Sequence, residues 1–375
     1  MSVLFTSKDC ALISHEKFIN QIFSKYSEIE ADGTQCRYRI ASDLFELNLP
    51  YRNESNSKKR QRKANDITIK KEMEDNREEF ELIEKIRLKT SEFISECHTK
   101  GHIPPIHNQQ IEPKTNSELR EFLKRWDELA TKRQPQFYAE NSKNDFEKIE
   151  LSGEKFLIPP NCTFHCKNIQ ELDWSKFDSV YDLIVMDPPW WNKYIRRTNR
   201  LNEENGYQML DNDAIEQIPI EKLAGDKSIV AIWCTNAPSL IKAVKESFLK
   251  KWNLTLIATW YWIKITKFGE PICQFGSPLK KQPFERLFIA CPTKTSGTIK
   301  IPKENFIYSI PSAIHSHKPP LEALLLPYLS ESMEHLKRLE IFSRYLLPHW
   351  TSIGFEVIKL QNEKLFNLEK VFLIE

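Results

Sequence analysis

Tyr181-Asp182-Leu183-Ile184-Val185-Met186-Asp187-Pro188-Pro189-Trp190 is the stretch on which the fold turns. Apart from Asp182, its first six residues are apolar and show no alternation that would leave one side wet. They read as a strand buried on both faces of a parallel sheet. The strand ends in a carboxylate, two prolines and an indole. Open α/β sheets bind ligands at the carboxyl ends of their strands, which puts Asp187 at a binding edge. Consecutive prolines donate no hydrogen bond and fix φ at roughly −65°, so their carbonyls are left as acceptors. A carboxylate and a carbonyl beneath a flat ring suit an exocyclic amine whose base stacks on Trp190, a contact worth roughly 1–3 kcal/mol. Pro-Pro also simply terminates a strand, and in that reading Trp190 is a core residue.

Further strand and helix signals surround this stretch. Apolar runs at 228–234, 254–263, 286–290, 338–342 and 354–360 read as more strands, with the aromatic run Trp260-Tyr261-Trp262 as core. Asn236 to Trp252 reads as a helix, because Leu240, Val244 and Phe248 recur every four residues and Asn236 can cap it. Leu321 to Tyr328 and Glu331 to Leu336 are shorter helix candidates. The alternation predicts an α/β domain over 151–375, a largely parallel sheet covered by helices on both faces.

The N-terminal part reads differently. Residues 1–50 have weak periodicity that suits a small β-rich element or an ordered arm, with no assignable role. The linker or arm at 51–72 is densest in charge at Ser57-Lys58-Lys59-Arg60-Gln61-Arg62-Lys63, and residues 52–72 carry eight basic against three acidic residues. Such a run suits a nuclear-import or phosphate-contacting arm, or a solvated linker. Over 73–150 two helices are expected in an accessory domain. Phe80, Ile83, Arg87, Thr90 and Ile94 trace a mixed face, whereas Leu119, Phe122, Leu123, Trp126 and Leu129 trace a cleaner one behind a capping box at Thr115 and Glu118.

Composition narrows the function classes. Lys plus Arg number 54 against 52 Asp plus Glu, so a nucleic-acid partner has to be met by local patches. One such patch follows Trp190 directly: Lys193, Arg196, Arg197 and Arg200 stand in a loop with no acid, where phosphates flanking an extruded nucleotide need neutralising. No eighteen apolar residues run together and no leader pattern opens the chain, so a soluble protein without a membrane partner is expected. The eight cysteines, several in apolar runs, fit a reduced compartment. Cys162, His165 and Cys166 offer three soft ligands without a fourth, and no metal is expected. His315 and His317 flank a polar loop beside Lys318 and are candidates for a cofactor mouth. No phosphate loop, dinucleotide fingerprint or nucleophile triad is present.

Five pieces in order give the sequence a family likeness. They are Asp187-Pro188-Pro189-Trp190; Trp262-Ile263-Lys264 with Gly269-Glu270-Pro271; Lys281-Gln282-Pro283-Phe284-Glu285; His315-Ser316-His317-Lys318-Pro319-Pro320; and Leu339-Glu340-Ile341-Phe342-Ser343-Arg344. The chain resembles the adenine-N6 methyltransferases named for the 70-kDa subunit of the messenger-RNA adenosine methyltransferase, closest to the branch called methyltransferase-like protein four. The resemblance is strong over 150–362 and weaker through the helices at 75–140. It implies a Rossmann-like sheet that binds S-adenosylmethionine, with the acceptor-site strand preceding the cofactor-site strand. It further implies that Asp187 and the Pro188 carbonyl receive the adenine amino group and that Trp190 packs on the base. Pro189 completes the catalytic motif. Lys318, with His317 beside it, contacts the methionine carboxylate, and Glu340 and Arg344 serve the ribose and its surroundings. The branch implies RNA as substrate, a 2′-O-methylated adenosine in a small nuclear RNA, with DNA adenine as a further candidate. A nuclear location, with the cytoplasm as the alternative, is expected from the basic run, and a monomer is expected because no heptad or isolated apolar face announces a partner.

Two departures stand out. Ser343 replaces a glycine of the family's cofactor strand motif, and Phe355 stands where relatives place an asparagine after Gly354. Phe355 is therefore expected to stack or pack against the cofactor. Two other classes compete with the enzyme reading. One is a noncatalytic nucleic-acid-binding scaffold, against which the intact Asp187 to Trp190 motif and Lys318 argue. The other is a protein amide N-methyltransferase, against which the basic loop argues.

Overall fold

A computed structural model describes residues 2–24, 27–29, 34–51, 76–105, 136–177, 180–190, 212–278, 280–314, 316–329 and 335–370. In chain order its strands begin with β1 (Val3–Ser7), β2 (Cys10–Ile13), β3 (Ser27–Ile29), β4 (Gln35–Ile40), β5 (Phe137–Asn141), β6 (Glu147–Leu151), β7 (Glu154–Ile158) and β8 (Cys162–Cys166). They continue with β9 (Tyr181–Met186), β10 (Ala224–Cys234), β11 (Leu254–Lys264), β12 (Phe284–Pro292), β13 (Glu304–Ser309), β14 (Arg338–Ile341), β15 (Trp350–Gly354) and β16 (Phe366–Lys370). The longer helices of the N-terminal half are α1 (His15–Phe23) and α2 (Arg77–Thr99).

Eleven strands form one mixed, mostly parallel sheet in the order β1-β2-β13-β11-β12-β10-β9-β14-β15-β8-β5. The quoted stretch lies at its middle, with β10 and β14 parallel on either side of β9. Its alternating side chains feed two cores. Ile184 and Met186 pack with Val230 and Ile232 on one face, while Leu183 and Val185 pack with Ile229 and Ala231 on the other. Burying each such side chain stabilises the fold by roughly 1.5–3 kcal/mol, so the run cannot tolerate a wet face. The fold is the expected Rossmann-like α/β class, with strand β12 running antiparallel to both neighbours.

Several expectations need correction. Residues 2–50 are not a separate region: β2 pairs in parallel with β13, β1 extends the sheet edge, and β4 pairs antiparallel with the C-terminal β16. Nor do the described parts of 73–150 form a separate helical domain, because α2 lies on the sheet and β5 is its edge strand against β8. The buried stripe of α2 is Ile83, Ile86, Thr90, Phe93 and Cys97, at three- and four-residue steps, packed over β11 and β13. Arg87, placed on that face by the sequence reading, instead points outward to Glu84. The second helix, with its capping box, and the basic arm lie outside the described residues.

The run at 354–360 is not a strand. β15 ends at Gly354 because the chain there crosses the backbone of Ser343, whose carbonyl would sit 2.5 Å from a Cβ at 354. The helix after β10 forms as Pro238–Ala243, widens into a π-turn over Val244–Phe248 and closes at Leu249–Lys251. Asn236 does not cap it. Its side chain donates to the Phe284 carbonyl at 2.7 Å and accepts from buried Arg286 at 2.6 Å, and Arg286 also holds Glu79 at the start of α2. Of the candidate at Glu331 to Leu336, residues 331–334 lie outside the described set.

Candidate active site

The parallel strands β8, β9, β14 and β15 deliver their carboxyl ends to one edge of the sheet. Because β12 runs the other way, its first residues reach that same edge, and Glu285 stands opposite Trp262 near the end of β11. Topology thus brings together charged residues scattered over nearly a hundred positions or more.

Asp187 leaves β9 with its amide on the Ile341 carbonyl, and the residue is only 6% exposed. Its Oδ2 accepts from Arg344 Nη1 at 2.7 Å and from Ser316 Oγ at 3.1 Å. Its Oδ1 faces Lys318 Nζ at the longer distance of 3.3 Å. Lys318 in turn donates to Glu285 Oε2 at 2.7 Å, and Glu285 also pairs with Lys264. On the other side Arg344 Nε lies 3.5 Å from Glu356, which Lys359 meets at 3.1 Å. The result is a row of alternating charges, Lys264, Glu285, Lys318, Asp187, Arg344, Glu356 and Lys359. Ion pairs this buried gain little over apolar packing, yet removing one member costs roughly 3–5 kcal/mol, so such a row marks a working site more than a stabilising device.

The charges tune one another. Burial pushes Glu285 up, but the ammonium groups of Lys264 and Lys318 together hold it well below the usual carboxylate range. For Lys318, burial works against the charge, and Asp187 and Glu285 raise it above an ordinary lysine. Glu340, at the end of β14, is different. Burial, helped by the charge of Asp187 and opposed by a hydrogen bond from Ser343 Oγ at 3.2 Å, lifts its carboxyl to about 8.

The structure also places the other residues singled out by sequence. The Pro188 carbonyl is turned back to accept the amide of Trp190 at 2.8 Å, so one of its two lone pairs is committed within the motif. Pro189 is buried. Trp190 is not the open platform expected: it is 7% exposed, its Nε1 donates to the Trp233 carbonyl at 3.0 Å, and its ring stacks on Phe248 from the π-turn at 6.1 Å. Strand-end packing has made it a core residue. His317 is likewise turned away from Asp187, into a cluster with His15, Phe45 and Tyr345. The reason is local, since Ser316 has φ +61° and the chain then presents 316 and 318, but not 317, to the carboxylate. Burial, with Arg344 nearby, lowers the His317 imidazole to about 4, so it is neutral. Phe355 lies just past β15 and is 39% exposed as a residue, while its carbonyl accepts from Cys166. Cys162 and Cys166 share one face of β8 with Phe164, and His165 points to the other, so the three do not converge. Lys193, Arg196, Arg197, Arg200 and His315 lie outside the described residues.

Sequence reading assigned no role to Glu285, Ser316, Lys264 or Glu356. Glu285 stands in one of the family pieces, but its place at the site could be seen only from the direction of β12. Ser343 is better explained by the structure: its hydroxyl bonds Glu340 and the Tyr345 carbonyl, which a glycine could not do.

The order of strands, the carboxylate at their edge and the cations upon it agree with the comparison against known families. Residues 181–356 match the model of the MT-A70 family. The MT-A70 match spans β9 to just past β15 and so includes every member of the charge row except Lys359. Among relatives, the chain is 36% identical to human N(6)-adenine-specific methyltransferase METTL4 over 60% of its own length and 48% of that protein. It is 36% identical to a Caenorhabditis elegans DNA N6-methyl methyltransferase over 57% and 56% of the two chains. To the N6-methyladenosine RNA methyltransferase MTA1 of Cryphonectria parasitica it is 35% identical over 48% and 53%. The chain spans about half the length of these relatives. The METTL4 likeness agrees with the branch read from the sequence.

Proposed function

We propose that this chain is an S-adenosylmethionine-dependent methyltransferase acting on adenine N6 in nucleic acid. One observation carries the reading: Asp187 stands at the carboxyl edge of the MT-A70 sheet with one oxygen saturated and the other only loosely engaged. Adenine N6 is a poor nucleophile because its lone pair is delocalised into the ring. Acceptors on its hydrogens favour a pyramidal nitrogen whose lone pair is free to attack. Asp187 Oδ1 is the acceptor with capacity to spare, and the second lone pair of the Pro188 carbonyl is the other. Arg344 and Ser316 hold the carboxylate in place through Oδ2, and the carboxylate also favours the positive charge that develops on nitrogen. Glu285 shares Lys318, which keeps that ammonium from closing fully on Oδ1.

The residues present fit the cofactor. Four cations against three carboxylates in the row leave one positive charge in excess, which suits a methionine carboxylate at Lys318. Glu340, with Arg344 beside it, suits ribose hydroxyls, and exposed Phe355 offers an apolar face at the same edge. When bound, S-adenosylmethionine supplies the electrophilic methyl.

The reading extends to substrate. RNA is proposed first, as a 2′-O-methyladenosine in a small nuclear RNA, with DNA adenine second; the names of the relatives include both polymers. The basic loop with Lys193, Arg196, Arg197 and Arg200 is proposed to meet phosphates, the arm at 57–63 to direct the protein to the nucleus, and the chain to act as a monomer. The test is nucleoside mass spectrometry after incubation with labelled cofactor and matched oligonucleotides carrying 2′-hydroxyl, 2′-methoxy or deoxyribose at the target adenine. N6-methylation of the methoxy substrate first is expected. No N6-methyl product on any of the three, from protein that binds cofactor, would overturn the activity.

A further inference from the structure

We propose that His15 is a positioning residue for the reaction, fixing through Ser309 and His317 the loop that brings Ser316 and Lys318 to Asp187. The inference rests on the methyltransferase reading above and adds to it a residue from the N-terminal segment.

The loop in question leaves β13 at Ser309 and reaches the site at Ser316 and Lys318. Its near end is gripped by His15, the first residue of α1, whose Nε2 lies 2.9 Å from Ser309 Oγ. Ser309 is fully buried and also accepts from Trp262 Nε1 at 2.8 Å. Trp262 is the ladder partner of Glu285, the carboxylate that shares Lys318. The middle of the loop is held by the same segment, since the Ala313 amide donates to the Leu44 carbonyl at 2.7 Å. Its far end is held by ring contacts: His15 meets His317 edge-on at 5.2 Å and 85°, and Phe45 packs against both. Three points along the loop therefore depend on residues 15–45, and the two side chains between and beyond them are those that touch Asp187.

Filling space does not account for an imidazole at position 15. His15 is 1% exposed, and neither its Nδ1 nor that of His317 has a hydrogen-bond partner among the described residues. Leaving a buried polar atom unpaired is unfavourable, and a phenylalanine in the same cluster would avoid that cost. What a phenylalanine would lose is the bond to Ser309. Burial holds His15 well below the ordinary histidine range, so the ring stays neutral beside the cations of the site.

The test uses the full chain with His15→Phe, Ser309→Ala and the double variant. Three quantities are read: affinity for S-adenosylhomocysteine by calorimetry, amide hydrogen exchange of residues 310–318 without cofactor, and kcat against KM for cofactor. Each single variant should weaken S-adenosylhomocysteine about tenfold, the size of one buried hydrogen bond. Exchange in 310–318 should accelerate more than in β9 or β10. The double variant should be no worse than the poorer single one, because both remove the same link. His15→Gln, which keeps a side-chain hydrogen-bonding group, should recover part of the affinity. Wild-type affinity and exchange in folded His15→Phe, or additive losses in the double variant, would overturn the proposal. Because Ser309→Ala also removes the acceptor of Trp262 Nε1, His15→Leu decides the matter by the same readouts if His15→Phe fails to fold. Wild-type protein that binds no S-adenosylhomocysteine would instead sink the methyltransferase reading, and this inference with it.

Discussion

Glu340 offers a prediction whose size and sign follow from the fold. In the unfolded chain its carboxyl loses a proton near the ordinary 4.5, whereas in the folded protein burial, with Asp187 adding to it, holds the proton to about 8. Between these values the folded state carries one proton more than the unfolded state. Stability from this site is therefore fully present at low pH and is lost as pH rises, by roughly 1.4 kcal/mol per pH unit. From about pH 5.5 to about pH 7.5 the loss should come to roughly 2–3 kcal/mol. Glu340→Gln cannot titrate and should lack this slope. Urea unfolding of both proteins across that window isolates the effect, since groups such as His317 are common to the two and cancel in the difference. The advantage of wild type over the Gln variant should shrink by that amount as pH rises. Parallel profiles would refute the reasoning, because they would mean that Glu340 is ionised in the folded protein.

Other consequences can be checked more briefly. Asp187→Ala should lower turnover by roughly a hundredfold or more while nearly preserving RNA binding; a variant keeping above about a tenth of the wild-type rate would count against the orienting role. Gly354→Ala should destabilise the protein by about 2–3 kcal/mol in thermal or urea unfolding, since the new methyl would meet the Ser343 carbonyl at 2.5 Å and backbone cannot swing aside. Neutralising Arg196 and Arg197 together should weaken oligonucleotide binding and reduce its salt slope by about 2 in a titration against salt, and an unchanged slope would remove that loop from the interface.

The centre of the fold was legible because β9 carries its own signal. An apolar run ending in Asp187-Pro188-Pro189 could hardly lie elsewhere than in a buried parallel strand. Its neighbours β10, β11, β12 and β14 were found for the same reason. The direction of β12 was not, because the run around Leu287–Ala290 looks the same read either way, and with it went Glu285. Residues 2–50 showed their strand character, but not their place in the sheet, because their partners are in β13 and β16, far along the chain, and short strands with distant partners leave little local pattern. The stripe on α2 was misjudged because Thr90 and Cys97 share it with Ile86 and Phe93, so apolar spacing alone admitted Arg87. Within the site, Asp187, Lys318, Arg344 and Glu340 are brought together. Trp190 and His317 turn inward instead, a matter of local backbone angles and packing that residue type does not encode.

The bond between His15 and Ser309 joins positions 294 apart, and β4 waits for β16 across a similar span. As the chain is made, β1 can pair with β2 and β3 with β4 at once, but β2 and β4 meet their other partners, β13 and β16, only much later. Until β13 and β16 are made, the edges of β2 and β4 that they cover stay open, which makes these hairpins natural clients for chaperones. Contacts so distant in sequence also make the final closure slow. A truncated message that stops before residue 306 would yield a chain whose beginning has no place to dock.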